Sequence, residues 1–83
     1  MNKILVKLYV PTIEQQYEIW LPINKKKHKI IKLLVKSVYE FSGGHYNPTK
    51  MPMLYDRATG NMFDVNLNAK ENNIKNGAGI ILI

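Results

Sequence analysis

Hydrophobic and polar residues alternate along two runs near the start of the sequence. The first run covers Lys3–Val10 and stops at Pro11, which cannot donate a hydrogen bond to a neighbouring strand. The second run, residues 16–22, follows after a short turn around residues 12–15. Because side chains alternate between the two faces of a strand, each run predicts a half-buried strand. Their close spacing predicts a β-hairpin.

A helical spacing replaces this alternation after the second run. Asn24 is predicted as the N-cap of a helix that extends to about Phe41 or Ser42. Gly43-Gly44 predicts a left-handed stop at its end. The spacing i, i+3, i+7, i+10 predicts a buried stripe with two residues at its margins. The stripe is Ile31, Leu34, Val38 and Phe41, and the marginal residues are Ile30 and Val35.

The remainder predicts three short strands. Residues 53–55 form one, a turn at 56–60 leads to a weaker one at 61–67, and a turn at 74–77 leads into the last, Ile80–Ile83. Four consecutive apolar residues are typical of a central strand flanked on both sides. Placed parallel to the first strand, this strand satisfies the right-handed crossover rule. We therefore predict an α+β fold of the β-grasp type, with a mixed four- to five-stranded sheet, one long helix across one face, and one domain over residues 1–83.

Charge and cysteine content narrow the functional classes. The chain has 83 residues, a formal net charge of +6 and no cysteine, so disulfides and thiolate chemistry are excluded. No apolar segment approaches the ~20 residues that cross a bilayer, and the N-terminus does not resemble a signal peptide. The sequence therefore predicts a cytoplasmic protein. Half of its twelve basic residues lie between Lys25 and Lys36, so the charge is local.

Several segments, spread over nearly the whole chain, resemble ubiquitin. They are Ile4-Leu-Val-Lys7, Tyr17-Glu-Ile-Trp-Leu21, Met53-Leu-Tyr55, and Ile74-Lys-Asn-Gly77 followed by Ile80-Ile-Leu82. Among ubiquitin-like proteins the chain is similar to the YukD/EsaB family, small cytoplasmic proteins of bacterial type VII secretion loci. The resemblance implies a non-catalytic adaptor whose protein partner is a membrane or cytoplasmic component of the secretion system.

The sequence departs from ubiquitin at its end. Conjugated modifiers carry a flexible Gly-Gly tail, whereas this sequence ends at Ile83 within the last predicted strand. Gly77 and Gly79 precede that strand. We therefore expect neither conjugation nor a sulfur-carrier role.

The sheet face away from the helix is the predicted protein-binding surface. A one-sided sheet normally presents polar residues to solvent, so an excess of outward apolar residues indicates a partner. Tryptophan is also enriched at binding hot spots. Strand parity assigns five residues to this surface: Leu5, Trp20, Leu54, Ile81 and Ile83. A second copy of the chain is an alternative occupant, as is pairing through the exposed edge of the second strand.

The second predicted surface is a basic patch on one helical face, made of Lys25, Lys29, Lys32 and Lys36. It raises the alternative of a nucleic-acid-binding or regulatory factor. A solvated helix face is the simpler interpretation, because no aromatic stacking residues or helix-turn-helix pattern accompany the lysines. An acidic protein or the inner membrane surface fits the patch better than nucleic acid.

No catalytic, cofactor-binding or metal-binding residues are predicted. His28 and His45 are too few for a metal site, which needs at least three convergent ligands. Asp56 and Asp64 are a conceivable carboxylate pair, but aspartate at such positions usually bonds turn amides. Without a nucleophile, base and orienting group in a recognisable pattern, we predict that the protein is not an enzyme.

Overall fold

Two long antiparallel strands begin the fold. Strand β1 is Lys3–Val10 and β2 is Gln15–Pro22, joined by a 3-10 turn at Pro11–Ile13. Val6 lies opposite Ile19 in the register. These bounds confirm the predicted hairpin. The structure is a computed structural model that describes residues 3–25, 27–64 and 66–83, without the side chains of residues 27 and 28.

Helix α1 extends over Lys27–Phe41. It begins three residues beyond Asn24, so the prediction of Asn24 as its N-cap is wrong. Its end agrees with the prediction. The N–H of Gly43 donates to the carbonyl of Glu40 at 3.2 Å, and the N–H of Gly44 donates to that of Tyr39 at 2.8 Å. Both glycines have positive φ, which makes this end a Schellman motif.

The two remaining strands complete a four-stranded sheet. Strand β3 is Leu54–Asp56, β4 is Gly79–Leu82, and the strand order is β2-β1-β4-β3. Strand β4 runs parallel to β1, with Leu8 opposite Ile80, and antiparallel to β3. The last strand is therefore central and lies beside the first, as predicted. This mixed sheet with one long helix is a β-grasp fold.

The predicted fifth strand at residues 61–67 does not form in the described residues. Met62 makes only an isolated bridge with Tyr55, and Val65 lies outside the described part of the chain. A segment rich in side-chain hydrogen bonds replaces the strand. The Asn72 amide donates to the carbonyls of Asp64, Leu67 and Asn68 at 3.1, 3.3 and 3.1 Å. Because these bonds are local, they compete with a strand ladder.

The core lies between α1 and one face of the sheet. Every second residue of β1, from Val6 to Val10, is fully buried together with Leu21, Ile80 and Leu82. The helix contributes Ile30, Ile31, Leu34 and Val38 to the same cluster. Phe41 was predicted in this stripe, but its side chain is 59% exposed. Phe41 is the last residue of α1, and its ring lies 5.4 Å from the ring of Tyr17 at the margin of the sheet.

Candidate functional site

The face of the sheet away from α1, here called the open face, carries side chains from all four strands. Leu5 lies opposite Trp20 across the β1–β2 pair, and Tyr9 lies opposite Ile81 across the β1–β4 pair. Tyr55 lies opposite Ile81 from the other side. Since alternate residues of each strand point to the core, these five side chains share the opposite face.

Four of the five predicted binding residues lie on this face. Leu5 and Ile81 are half-buried, whereas Trp20 is 53% and Ile83 58% exposed. Ile83 continues the alternation of β4, and its N–H donates to the carbonyl of Met53 at 3.1 Å. An exposed tryptophan and an exposed isoleucine therefore lie at opposite ends of a face that also carries the exposed polar residues Lys7 and Glu18.

Leu54 is not on the open face. It pairs with Leu82 in the register and is fully buried, so its assignment to the binding surface was wrong. Tyr55, one residue later, takes the outward position. All three residues Met53-Leu54-Tyr55 are apolar, so this short strand offers no polar alternation from which its orientation could be read.

Arg57 is a residue that sequence reasoning missed. It follows β3 at one side of the sheet, and its backbone N–H donates to the carbonyl of Gly79 at 3.1 Å. Its guanidinium carbon lies 5.2 Å from the centre of the Tyr9 ring, and Nη1 donates to Gln16 Oε1 at 3.0 Å. The side chain thus crosses β4 and β1 and reaches β2. No local motif predicts such a contact over 41 residues of sequence.

The predicted basic patch is only partly formed. Lys29, Lys32 and Lys36 are exposed on α1, as expected. Lys25 lies in a bend before α1, so its placement on the helical face was wrong. Lys29, Lys32 and Lys36 form no ion pair with a carboxylate of the described part of the chain. Their charge is therefore available to an acidic partner.

The structure agrees with a turn role for Asp56. Its Oδ1 accepts from the N–H of Ala58 and its Oδ2 from the Thr59 hydroxyl, each at 3.1 Å. The described residues hold no group of three or more His, Cys, Asp or Glu arranged for a metal ion. The side chain of His28 lies outside the described part, and His45 Nδ1 contacts the Ser42 carbonyl at 2.6 Å. None of the described helices is long and apolar enough to cross a bilayer.

A second surface, at the end of α1, was not predicted. One depression of 340 Å³ lies between the start of β2 and the end of α1, lined by Ile13, Gln15, Tyr17, Phe41, Ser42 and His45. A neighbouring depression of 370 Å³ shares Ile13 and His45 and reaches the exposed Met51. Phe41 could have signalled this surface, because a large apolar residue at a helix end can extend past the sheet.

Comparisons with known proteins agree on the fold class. No family model matches the chain, and no curated protein matches it by sequence. Among solved structures, the chain is similar to the EccD5 ubiquitin-like domain from Mycobacterium xenopi, with 19% identity and a TM-score of 0.82 over 100% of this chain and 94% of that one. These observations define a ubiquitin-like β-grasp domain.

Two further structures are similar in fold. The ubiquitin-like domain of the Mycobacterium tuberculosis type VII secretion system protein ECCD1 is 12% identical, with a TM-score of 0.77 over 100% of this chain and 99% of that one. A designed protein based on ubiquitin is 15% identical, with a TM-score of 0.68 over 99% and 88%. The resemblance to ubiquitin is therefore confirmed at the level of the fold, and structures from type VII secretion proteins share it.

Proposed function

We propose that this protein is a non-catalytic ubiquitin-like adaptor of a type VII secretion system, of the YukD/EsaB kind. It acts in the cytoplasm and binds a protein component of the secretion machine through the open face. The observation that carries the proposal is the exposure of Trp20 and Ile83 on that face. The similarity to the EccD5 and ECCD1 ubiquitin-like domains supports the secretion context.

The chemistry of the open face favours protein binding. Half-buried Leu5 lies beside Trp20 at one end of the open face, and half-buried Tyr9, Tyr55 and Ile81 lie toward Ile83 at the other end. Lys7 and Glu18 are opposite each other in the register and both exposed. Two apolar clusters with a charged pair between them fit a protein interface, in which aromatic residues supply much of the binding energy.

The binding is non-covalent in this proposal. Gly77 lies in the turn before β4, and Gly79 is the first residue of β4. The N–H of Gly77 donates to the carbonyl of Leu5 at 2.6 Å, and Gly79 begins β4 opposite Lys7. Neither glycine is free to enter the active site of a conjugating enzyme.

Affinity capture from the secreting cell tests the proposal. The bait is the tagged chain, and the test variant replaces Trp20 and Ile83 by lysine. Tyr39→Lys is the matched control, because Tyr39 is 47% exposed and lies on α1. We expect the wild type and the control to retain a type VII secretion component and the double variant to lose it. Retention by a folded double variant would show that the open face is not the binding surface, and capture of no secretion component would reject the assigned system.

A further inference from the structure

The turn before β4 contains Asn76-Gly77, the one place in the sequence where glycine directly follows asparagine. The backbone nitrogen of the residue after an asparagine can attack the side-chain amide, and a Cβ on that residue hinders the attack. Glycine has no Cβ, so its nitrogen is the least hindered nucleophile. A Cβ built on Gly77 would meet nothing within 4 Å, and both residues are exposed. Solvent therefore reaches both reacting groups.

These two groups are bound to the backbone of Leu5. The N–H of Leu5 donates to Asn76 Oδ1 at 2.8 Å, and the N–H of Gly77 donates to the carbonyl of Leu5 at 2.6 Å. In the next bond along β1, the N–H of Lys7 donates to the carbonyl of Ala78 at 2.9 Å. The side chain of Asn76 thus takes the place of a backbone carbonyl and extends the parallel β1–β4 ladder toward the start of β1.

The amide nitrogen of Asn76 has a different environment from its oxygen. Nδ2 forms no hydrogen bond with any described residue, so it is free to act as a leaving group. The amide nitrogen of Asn72, by contrast, donates to three carbonyls. Asn73 is followed by Ile74, whose branched side chain crowds its own backbone nitrogen. Asn76 therefore combines a free leaving group with an unhindered nucleophile, unlike these two neighbours.

The bond between Gly77 and Leu5 determines when the attack occurs. A backbone nitrogen becomes a nucleophile only after it loses its proton, and an N–H that donates to a carbonyl is protected from base in solution, as it is in hydrogen exchange. The bond from Leu5 also holds Asn76 Oδ1 against β1, whereas the attack requires this side chain to turn back toward its own backbone. Both bonds must therefore open before the reaction begins.

We propose that Asn76 is a site of spontaneous modification, which the two bonds to Leu5 keep unreacted until the start of β1 separates from the turn. The deprotonated nitrogen of Gly77 then attacks Asn76 Cγ. A C–N bond forms, the Cγ–Nδ2 bond breaks and ammonia leaves, which gives a five-membered succinimide ring. Water opens the ring at either carbonyl. One product is aspartate, and the other is isoaspartate, in which the main chain runs through Cγ.

Isoaspartate prevents the original contact from forming again. Its main chain is longer by one methylene group, and its free carboxylate is on the α-carbon. The oxygen and the N–H that bind Leu5 therefore lose the spacing that they have in the native turn. Leu5 lies opposite Trp20, so the conversion loosens one end of the open face. This consequence for partner binding rests on the proposed function, whereas the chemistry of Asn76 does not.

The test measures conversion of the full chain in neutral buffer, both folded and unfolded in urea. Peptide mass spectrometry locates the exchange of ammonia for water, and an isoaspartyl methyltransferase with labelled S-adenosylmethionine quantifies isoaspartate. We expect Asn76 to convert in the unfolded chain much faster than Asn73. In the folded protein Asn76 should convert roughly ten- to hundredfold more slowly than in urea, the effect of two hydrogen bonds.

Two variants and one further measurement connect this rate to the structure. Gly77→Ala adds a methyl group beside the nucleophile and should slow conversion of the chain in urea, where the positive φ of the native turn is not required. Asn76→Gln should yield no isoaspartate. In the folded wild type, urea below the unfolding midpoint should accelerate the conversion of Asn76 and the hydrogen exchange of the Gly77 amide by the same factor, because both need the same opening.

Four outcomes would contradict the proposal. Equal rates in the folded and unfolded chains would show that Leu5 does not protect the site, and no conversion in urea would show that Asn76 is unreactive. A conversion rate that stays constant while exchange of the Gly77 amide accelerates would assign the protection to another contact. Native protection of the Leu5 amide in the isoaspartate form would exclude the loosening of β1. The capture experiment on the open face is independent of these results, because its substituted residues take no part in the reaction.

Discussion

The guanidinium of Arg57 lies over the ring of Tyr9, with 5.2 Å between the guanidinium carbon and the ring centre. The contact joins the turn after β3 to strand β1, with β4 between them. It requires a small residue on β4. A Cβ added at Gly79 would lie 3.2 Å from Arg57 Cβ and 3.3 Å from Cδ, closer than ordinary van der Waals contact. Gly79 thus leaves space for a cation over an aromatic ring on the proposed binding surface.

Arg57→Ala is expected to destabilise the protein by about 1 kcal/mol. An exposed cation–π contact contributes roughly 0.5–1 kcal/mol, and the aliphatic part of arginine covers apolar surface. For a domain of this size the midpoint of thermal unfolding should fall by about 4–8 °C. Urea unfolding monitored by circular dichroism measures the change in free energy. Lys75→Ala is the control, because Lys75 is exposed and contributes no side-chain hydrogen bond within the described chain. Equal midpoints for the two variants would contradict a stabilising role for Arg57.

The strands and their order were predictable because the hydrophobic pattern is strong in the first and last strands. Lys3–Val10 alternates over eight residues, and Ile80–Ile83 is apolar throughout, so the edge and central positions follow. Strand β3 has only three residues, all but Asp56 apolar or aromatic, and its orientation depends on which side chain fits the core. Helix periodicity likewise places Phe41 on the inner face without showing that the sheet ends before it.

The site was predictable only where it follows from strand parity. Leu5 and Trp20 share a face because β1 and β2 alternate regularly, and Ile81 and Ile83 join it because β4 lies beside β1 in that register. The position of Arg57 and the surface at the end of α1 depend on contacts between segments far apart in sequence, such as Tyr17 with Phe41. Local pattern carries no information about these distances, since a side chain of arginine or phenylalanine is compatible with many neighbours.

Substitution of Leu54 tests whether its side chain lies in the core rather than on the open face. We expect Leu54→Ala to lower the free energy of unfolding by about 2–5 kcal/mol, because a fully buried leucine leaves a cavity. Trp20→Ala should change it by less than about 1 kcal/mol, since the indole is half-exposed. Denaturant unfolding followed by circular dichroism compares the two. A mild Leu54→Ala variant that lost partner binding would instead return Leu54 to the open face.

Substitutions at Gly43 are expected to change the stability of the protein only through the backbone conformation that each residue prefers. Its φ is +65°, and a Cβ would meet nothing within 4 Å, so no packing term enters. Gly43→Ala should cost about 1 kcal/mol, because alanine resists the left-handed region, and Gly43→Asn should cost less. Thermal unfolding of the three proteins gives the order. If the Gly43→Ala variant were as stable as the wild-type protein, the Schellman motif at the end of α1 would not require a positive φ.

The buried phenol of Tyr46 is expected to make the free energy of unfolding decrease at alkaline pH. Its side chain is 3% exposed, and burial raises the pKa of the phenol from the ordinary value of 10.0. A raised pKa means that the folded state holds the proton more tightly than the unfolded state does. The resulting stability is complete below pH 10 and decreases as the pH rises through the pKa of the folded protein.

The free energy of unfolding, measured with urea at a series of pH values from neutral to above 10, should therefore fall more steeply in the wild type than in Tyr46→Phe. Parallel curves for the wild type and Tyr46→Phe would mean that the buried phenol does not carry this dependence.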